Sequence, residues 1–178
     1  LDPNYTLALH WYALCLTALG RTDEAVEVME RARQLDPLSV RINADLGMAL
    51  LAAGKHEEAV AQEGRALKLA AEAAVPRWIR GMALEQLGRF DAAERDMKAA
   101  LDAMSGYEAV KGSLGHLYAI SGRQAEARKL LGELTSQADT TDVTFFAALI
   151  CAGLGDDDGA LTWLERAVEK RSGSVRYL

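Results

Sequence analysis

Side chains able to hold a metal ion or to catalyse a reaction are few and scattered in this 178-residue chain. The histidines are His10, His56 and His116, and a metal site needs several ligands that converge on one point. His56 falls where a helix is predicted to begin and is expected to be solvated, whereas His10 and His116 are far apart in sequence. We therefore expect no metal site.

The densest acidic stretch is Asp156-Asp157-Asp158, which lies between Gly155 and Gly159. It lacks the alternating ligand spacing and the distal glutamate of a calcium-binding loop. Acidic side chains are favourable at the first turn of a helix, where they meet its positive end. The pattern therefore indicates a turn that caps the following helix.

Other signatures of catalysis are missing from the sequence as well. No glycine-rich phosphate loop follows a strand, and no strand is predicted. Cys15 and Cys151 are interpreted as small, buried, apolar residues that form no disulfide. We predict that the chain is not an enzyme and needs no cofactor.

Composition narrows the remaining classes of function. The chain has 26 acidic and 20 basic residues, a net charge of −6, and shows no basic stripe. This balance disfavours nucleic acid as a partner of this segment. No signal peptide is visible, and no apolar run reaches the roughly 20 residues of a membrane span. We expect a cytoplasmic protein, or a periplasmic one if a membrane span precedes the chain.

Small residues recur at fixed intervals along the chain. The glycines are 34, 34, 34 and 33 residues apart: Gly20, Gly54, Gly88, Gly122 and Gly155. Five residues after them come Ala25, Ala59, Ala93, Ala127 and Ala160. Seven residues before them come Ala13, Gly47, Gly81, Gly115 and Ala148; twelve after them come Ala32, Ala66, Ala100, Leu134 and Ala167. A fixed period of this size is typical of stacked structural repeats.

Between these landmarks the apolar residues follow helical spacing, which predicts two amphipathic helices per repeat. Glycine ends the first helix because it adopts a left-handed backbone without a Cβ penalty. Thr22 is the expected N-cap of the second helix, and Pro76 fits the first turn of another. The predicted helices span 5–19, 22–35, 39–53, 56–71, 75–87, 90–104, 107–121, 124–136, 141–154 and 157–170.

The landmarks resemble the tetratricopeptide repeat. Its pattern appears in the first copy as Tyr12, Ala13, Leu16, Gly20, Ala25, Ala32 and Pro37, and in the fourth as Leu114, Gly115, Tyr118, Gly122 and Ala127. The late proline survives only as Pro37, and the large apolar residue of the second helix is replaced by Glu63. The resemblance implies an all-α, right-handed α-solenoid of five antiparallel helix pairs.

We predict one array over 1–178, with repeats at about 6–39, 40–73, 74–107, 108–140 and 141–174 and a tail at 175–178. The segment 70–75 is rich in alanine, which does not end a helix, so the preceding helix is expected to be able to extend into it. The short 33-residue step places a missing residue in or near 136–142. Val175, Tyr177 and Leu178 are predicted to fold back and partly cap the last helix pair.

Residues 144–156, 160–167 and 171–173 are also similar to the closing repeat of a bacterial group. In that group, arrays of this kind end multidomain signalling proteins that carry kinase, cyclase or winged-helix domains. The resemblance implies a bacterial regulatory context. Leu1-Asp2-Pro3-Asn4 matches the end of a repeat, so a preceding repeat or domain is expected.

Each first helix carries a second apolar stripe, offset from the stripe that builds the core. In the family these positions line the concave surface, which here predicts a partner-binding groove. Its residues are His10, Trp11, Leu14, Asp45, Met48, Trp78, Ile79, Met82, His116, Phe145, Phe146 and Leu149. The alternative is that some of these rings pack between adjacent first helices.

The leading hypothesis is a protein–protein interaction module or scaffold that binds an apolar or amphipathic peptide segment. The family's clamp for C-terminal carboxylates is not expected, because its positions carry residues such as Leu14, Asp45 and Ile79. The rival hypothesis is a structural self-association unit, in which exposed ends of the array join copies into a homo-oligomer.

Overall fold

A computed structural model of the chain describes residues 5–104, 107–137 and 141–169. Over these ranges it contains ten α-helices and no strand, as predicted. The helices are α1 Thr6–Ala18, α2 Thr22–Leu35, α3 Val40–Ala52, α4 His56–Leu69, α5 Ala74–Gln86, α6 Phe90–Ala103, α7 Glu108–Ile120, α8 Gln124–Gln137, α9 Thr141–Gly153 and α10 Asp157–Glu169.

The helices repeat in register with the sequence period. First helices have 13 residues, and α2, α4, α6 and α8 have 14. Most connections between helix pairs contain four residues, but that between α8 and α9 contains only 138–140. This connection is where the 33-residue step arises, as the sequence predicted. Val175, Tyr177 and Leu178 lie outside the described residues, so their predicted cap stays a prediction.

Each first helix ends two residues before the predicted glycine, which lies in the turn that follows. The positive-φ glycines of the described residues are Gly20, Gly54, Gly88, Gly122 and Gly155, with φ between 70° and 83°. After α1, the Arg21 N–H donates to the Leu16 carbonyl at 2.9 Å, the six-residue closure of a Schellman motif. A side chain with a Cβ would be strained in this conformation.

The small landmark residues lie where helices pack most closely. Ala25, Ala59, Ala93 and Ala127 are fully buried, and Ala13 and Ala148 are nearly so. At Gly115 in α7, an added Cβ would come 2.6 Å from Cδ1 of Ile150 in α9. These positions stay small because a larger side chain would push apart helices that are already in contact.

Several local predictions were wrong. Thr22 is the first residue of α2 rather than its cap, and Arg21 precedes the helix without a side-chain cap. Helix α4 ends at Leu69 and does not run on through the alanines. Cys15 is exposed, although Cys151 is buried. His56, which was expected to be solvated, is half-buried.

Other local predictions are confirmed. Asp156 caps α10, because its Oδ1 accepts a hydrogen bond from the Gly159 N–H at 3.0 Å. Pro76 lies in the first turn of α5. The acidic turn thus caps a helix and the proline occupies a first helical turn, as their chemistry predicts.

The chain divides into two compact units, residues 1–96 and 97–178, with the division inside α6. In unit 1, α3 packs against α1 on one side and α5 on the other, while α4 packs against α3 and α5. In unit 2, α7 packs against α8 and α9, and α9 also packs against α10.

Candidate peptide-binding surface of unit 1

Three equivalent residues form an apolar row in unit 1. Leu14, Met48 and Met82 are 34 residues apart, each on a first helix, and each is half-buried. Their helices α1, α3 and α5 lie side by side, because α3 packs against both of its neighbours. Apolar side chains that remain partly exposed at one repeated position give a surface suited to contact with a partner.

Two tryptophans accompany this row. Trp11 on α1 is 57% exposed, so its ring adds little to the core. Trp78 on α5 is half-buried. Tryptophan is enriched among residues that dominate binding energy at protein interfaces, because it combines a large apolar area with a polar N–H group.

A polar cluster of His10, Asp45 and Arg41 joins α1 to α3 beside Trp11. His10 Nδ1 lies 2.7 Å from Asp45 Oδ2, and Arg41 Nε lies 3.7 Å from the same oxygen. The imidazole and the carboxylate are therefore in close electrostatic contact. Arg41 Nη2 also lies 3.3 Å from His10 Nε2.

The cluster is partly buried, which sets its electrostatics. His10 is buried, while the side chains of Asp45 and Arg41 are 26% and 65% exposed. Burial raises the pKa of Asp45, and the neighbouring His10 and Arg41 act in the opposite direction. The rings of His10 and Trp11 meet edge-to-face at 5.1 Å. The cluster therefore holds Trp11 beside a mixed-charge site at the end of the apolar row.

Helix α3 is held by hydrogen bonds at its N-terminal end and by one from α4. Ser39 caps it by accepting from the Ile42 N–H at 3.3 Å. The amide of Asn43 donates to the Pro37 and Ser39 carbonyls, and buried Gln62 of α4 donates to Asn43 Oδ1 at 2.7 Å. These contacts orient the face of α3 that carries Asp45 and Met48.

Ile79 was predicted to line the groove, but the structure places it in the interior of unit 1. Only 2% of its surface is exposed. It is the equivalent of Trp11 and Asp45 in the repeat, so position alone does not decide exposure. Ile79 therefore offers almost no contact area to a partner.

In unit 2 the predicted rings pack between helices. Phe145 and Phe146 on α9 are 7% and 8% exposed, with their rings edge-to-face at 5.3 Å. A Cβ at Gly112 of α7 would come within 2.7 Å of Phe146 Cδ1. This is the packing alternative considered for these rings, and it removes them from the accessible surface. His116 and Leu149 are half-buried.

Arg41 and the pair of Arg80 and Asp96 are polar features that the sequence analysis missed. Arg80 of α5 makes two hydrogen bonds to Asp96 of α6, at 2.6 and 2.7 Å. Arg41 meets a histidine 31 residues away. Little in the sequence indicated these contacts, because charged residues on repeat helices usually face solvent.

Within the described ranges, no group of three or more histidine, cysteine, aspartate or glutamate residues is placed to hold a metal ion. No helix there is long and apolar enough to cross a membrane. The geometry of unit 1 instead provides an apolar row, an exposed aromatic ring and a mixed-charge cluster. The class of protein that this architecture defines is an α-helical repeat protein.

Comparison with known families identifies the repeat. Three models described as tetratricopeptide repeat match residues 16–75, 74–95 and 113–175. The chain belongs to the tetratricopeptide repeat family. A comparison with curated proteins gives no significant match.

Solved structures of tetratricopeptide repeat proteins share the fold at low sequence identity. TTC0263 of Thermus thermophilus has a TM-score of 0.80 and 21% identity over 97% of this chain and 96% of that protein. PilW, a type IV pilus biogenesis factor, has a TM-score of 0.71 and 21% identity over 99% and 82%. YrrB, described as having an unusual peptide-binding site, has a TM-score of 0.57 and 18% identity over 99% and 91%.

Proposed function

We propose that unit 1 binds an apolar or amphipathic peptide segment across the first-helix surface formed by Leu14, Met48 and Met82. Tetratricopeptide repeats generally mediate protein–protein interactions, and YrrB is a member described by its peptide-binding site. The observation that carries the proposal is the row of equivalent, half-buried apolar side chains on three packed helices. Trp11 and Trp78 add aromatic anchors to this row.

The polar cluster orients the bound segment. Arg41 and Asp45 present opposite charges at one end of the row, beside Trp11. Charged groups at the edge of an interface contribute more to orientation and specificity than to affinity. The fitting partner is therefore a segment with apolar side chains at helical spacing and polar groups at one end.

The role in a larger protein follows from the resemblance of the last repeat to bacterial regulatory proteins. We propose that the array recruits a partner for such a regulator, with the cytoplasm as the expected compartment. This role is that of a non-catalytic scaffold, as is typical of the family. The genomic sequence upstream of Leu1 tests the regulatory context by the domain that it encodes.

Peptide selection followed by NMR mapping tests the binding surface. The full chain is panned against a displayed library of random 16-residue peptides, and each selected peptide is titrated into isotope-labelled protein. Amide shifts concentrated in α1, α3 and α5 are expected. Peptides that bind saturably but shift only other helices would contradict the proposed surface. A library that gives no saturable binder would contradict peptide binding itself.

Self-association is the second candidate function, and it is favoured by exposed apolar side chains on and next to α1 and on α10. Tyr12 and Leu19 are 51% and 71% exposed at α1, and Leu161 and Val168 on α10 are each 60% exposed. Exposed apolar surfaces on helical repeats are able to stack between copies. Sedimentation at low and high concentration distinguishes a concentration-dependent oligomer from a monomer.

A further inference from the structure

Glu63 on α4 has a fully buried side chain, and among the described residues neither of its carboxylate oxygens has a hydrogen-bond partner. Its carboxyl group lies on the backbone of Gly47 in α3, where an added Cβ would overlap Oε1. The equivalent residues of the neighbouring repeats are Met29 and Met97, which are also buried. A carboxyl group thus occupies a core position that is otherwise apolar, at the contact between α3 and α4.

The charges around Glu63 do not compensate for its burial. Asp45 faces it from α3 and disfavours a second negative charge, while Arg80 of α5 acts in the opposite direction. Arg80 is engaged by Asp96 of α6, and Asp45 is in contact with His10 of α1 and with Arg41. On α4 itself, Arg65 donates to Gln62 at 3.2 Å. Each of these cations has another polar partner close by.

Burial is the main cause that raises the pKa of Glu63 to about 9, and the charge of Asp45 adds to it. The folded chain therefore holds a neutral carboxylic acid at this position near pH 7. A neutral acid is far less costly to bury than a carboxylate.

We propose that Glu63 is a proton-dependent latch between α3 and α4. The neutral acid packs against Gly47 when the two helices are in contact, and the ionised carboxylate, exposed to water, stabilises the state in which they have separated. The latch follows from the packing of unit 1 and does not depend on the proposed peptide binding. Its opening would release α3, which carries Asp45 and Met48, from the helix that supports it.

The sign of the pH dependence follows from the raised pKa. The stabilising contribution is fully present below the ordinary carboxyl pKa of 4.5, and it is lost as the pH rises toward 9. Between these values, opening exposes Glu63 and releases a proton. The open population therefore rises up to about tenfold for each pH unit.

Hydrogen exchange on the full chain at pH 6, 7 and 8 tests the latch. Amide exchange in α3 and α4, corrected for the intrinsic effect of pH, is compared between the wild-type chain and Glu63→Gln. We expect the open population to rise by tens of fold from pH 6 to pH 8 in the wild-type chain and to stay nearly constant in the variant. An equal rise in both proteins would overturn the proposal.

Two controls keep the outcome decisive. Amides of α7 and α9 in unit 2 report on global opening, so a rise there equal to that in α3 and α4 would also overturn a local latch. Glu63→Met installs the residue type of the equivalent positions and removes the proton without adding a buried amide. If Glu63→Gln fails to fold, the same comparison is made with Glu63→Met, and pH-dependent opening that persists in it would overturn the proposal.

Discussion

Gly112 of α7 lies against the side chain of Phe146 of α9 so closely that an added Cβ would come within 2.7 Å of Phe146 Cδ1. The aromatic ring is buried because its neighbour has no side chain. Size complementarity between these two residues therefore turns a predicted binding ring into a packing ring.

The first prediction concerns this contact. Gly112→Ala should lower the free energy of unfolding by about 1–3 kcal/mol, because α7 and α9 must separate to admit the methyl group. Urea denaturation followed by circular dichroism measures the change.

Gly132→Ala is the matched control, since Gly132 is an exposed helical residue of α8 with open space where a Cβ would lie. This change should stabilise the chain by up to about 1 kcal/mol, because alanine favours helix more than glycine does. A Gly112→Ala variant as stable as the Gly132→Ala variant would show that the α7–α9 contact is looser than described.

The second prediction concerns the two hydrogen bonds between Arg80 and Asp96. Asp96→Asn should reduce stability by about 1 kcal/mol at low salt, a value that allows for solvent screening of the half-buried arginine. Thermal unfolding of the wild-type chain and the variant at low and high salt provides the measurement. The difference in stability between the two proteins should shrink at high salt, because salt screens the ion pair in the wild-type chain.

Glu24→Gln serves as the comparison because the pair of Arg21 and Glu24 is solvent-exposed. Its removal should leave the melting temperature nearly unchanged. If both variants lose stability equally, the partial burial of Asp96 has no energetic consequence.

The third prediction concerns the exposed apolar face of α10, where Leu161, Leu164 and Val168 line an open hollow beside Glu165 and Glu169. If self-association uses this face, Val168→Glu should convert a concentration-dependent oligomer into a monomer in sedimentation velocity. The helical circular dichroism should not change, since Val168 is 60% exposed. A wild-type chain that sediments as a monomer up to high concentration would remove this candidate function.

The helix pairs were predictable from sequence because their determinants are local and repeated. The positive-φ requirement at Gly20 and the close packing at Ala25 each limit the residue types at one position. Because the same residue types recur in each repeat, these requirements are distinguishable from chance, and most helix ends were predicted to within one or two residues. Thr22 was mistaken for a cap because a threonine before an acidic turn fits the first helical position equally well.

The candidate surface was less predictable because exposure depends on the residue that lies opposite. Trp11, Asp45 and Ile79 occupy equivalent positions, yet they are exposed, half-buried and buried in turn. Periodicity fixes the direction of a side chain but not the size of its neighbour on the next helix. For the same reason, sequence alone did not reveal the contact of Arg41 with His10.

The fourth prediction tests the central proposal, that the first-helix surface of unit 1 binds a peptide. Trp78→Ala should weaken binding of a selected peptide by on the order of 2 kcal/mol, because a tryptophan anchor contributes strongly at an interface. The loss of stability should be small, since Trp78 is only half-buried. Leu84→Ala in the same helix is the control. Leu84 is buried, so truncating its side chain should lower the free energy of unfolding by about 2–5 kcal/mol.

The most direct measurement is the dissociation constant of one selected peptide for the wild-type chain and for Trp78→Ala, with urea denaturation of both proteins alongside. The account predicts a dissociation constant roughly 30-fold higher for a variant that remains folded. Unchanged affinity, or a variant that unfolds as readily as Leu84→Ala, would contradict it.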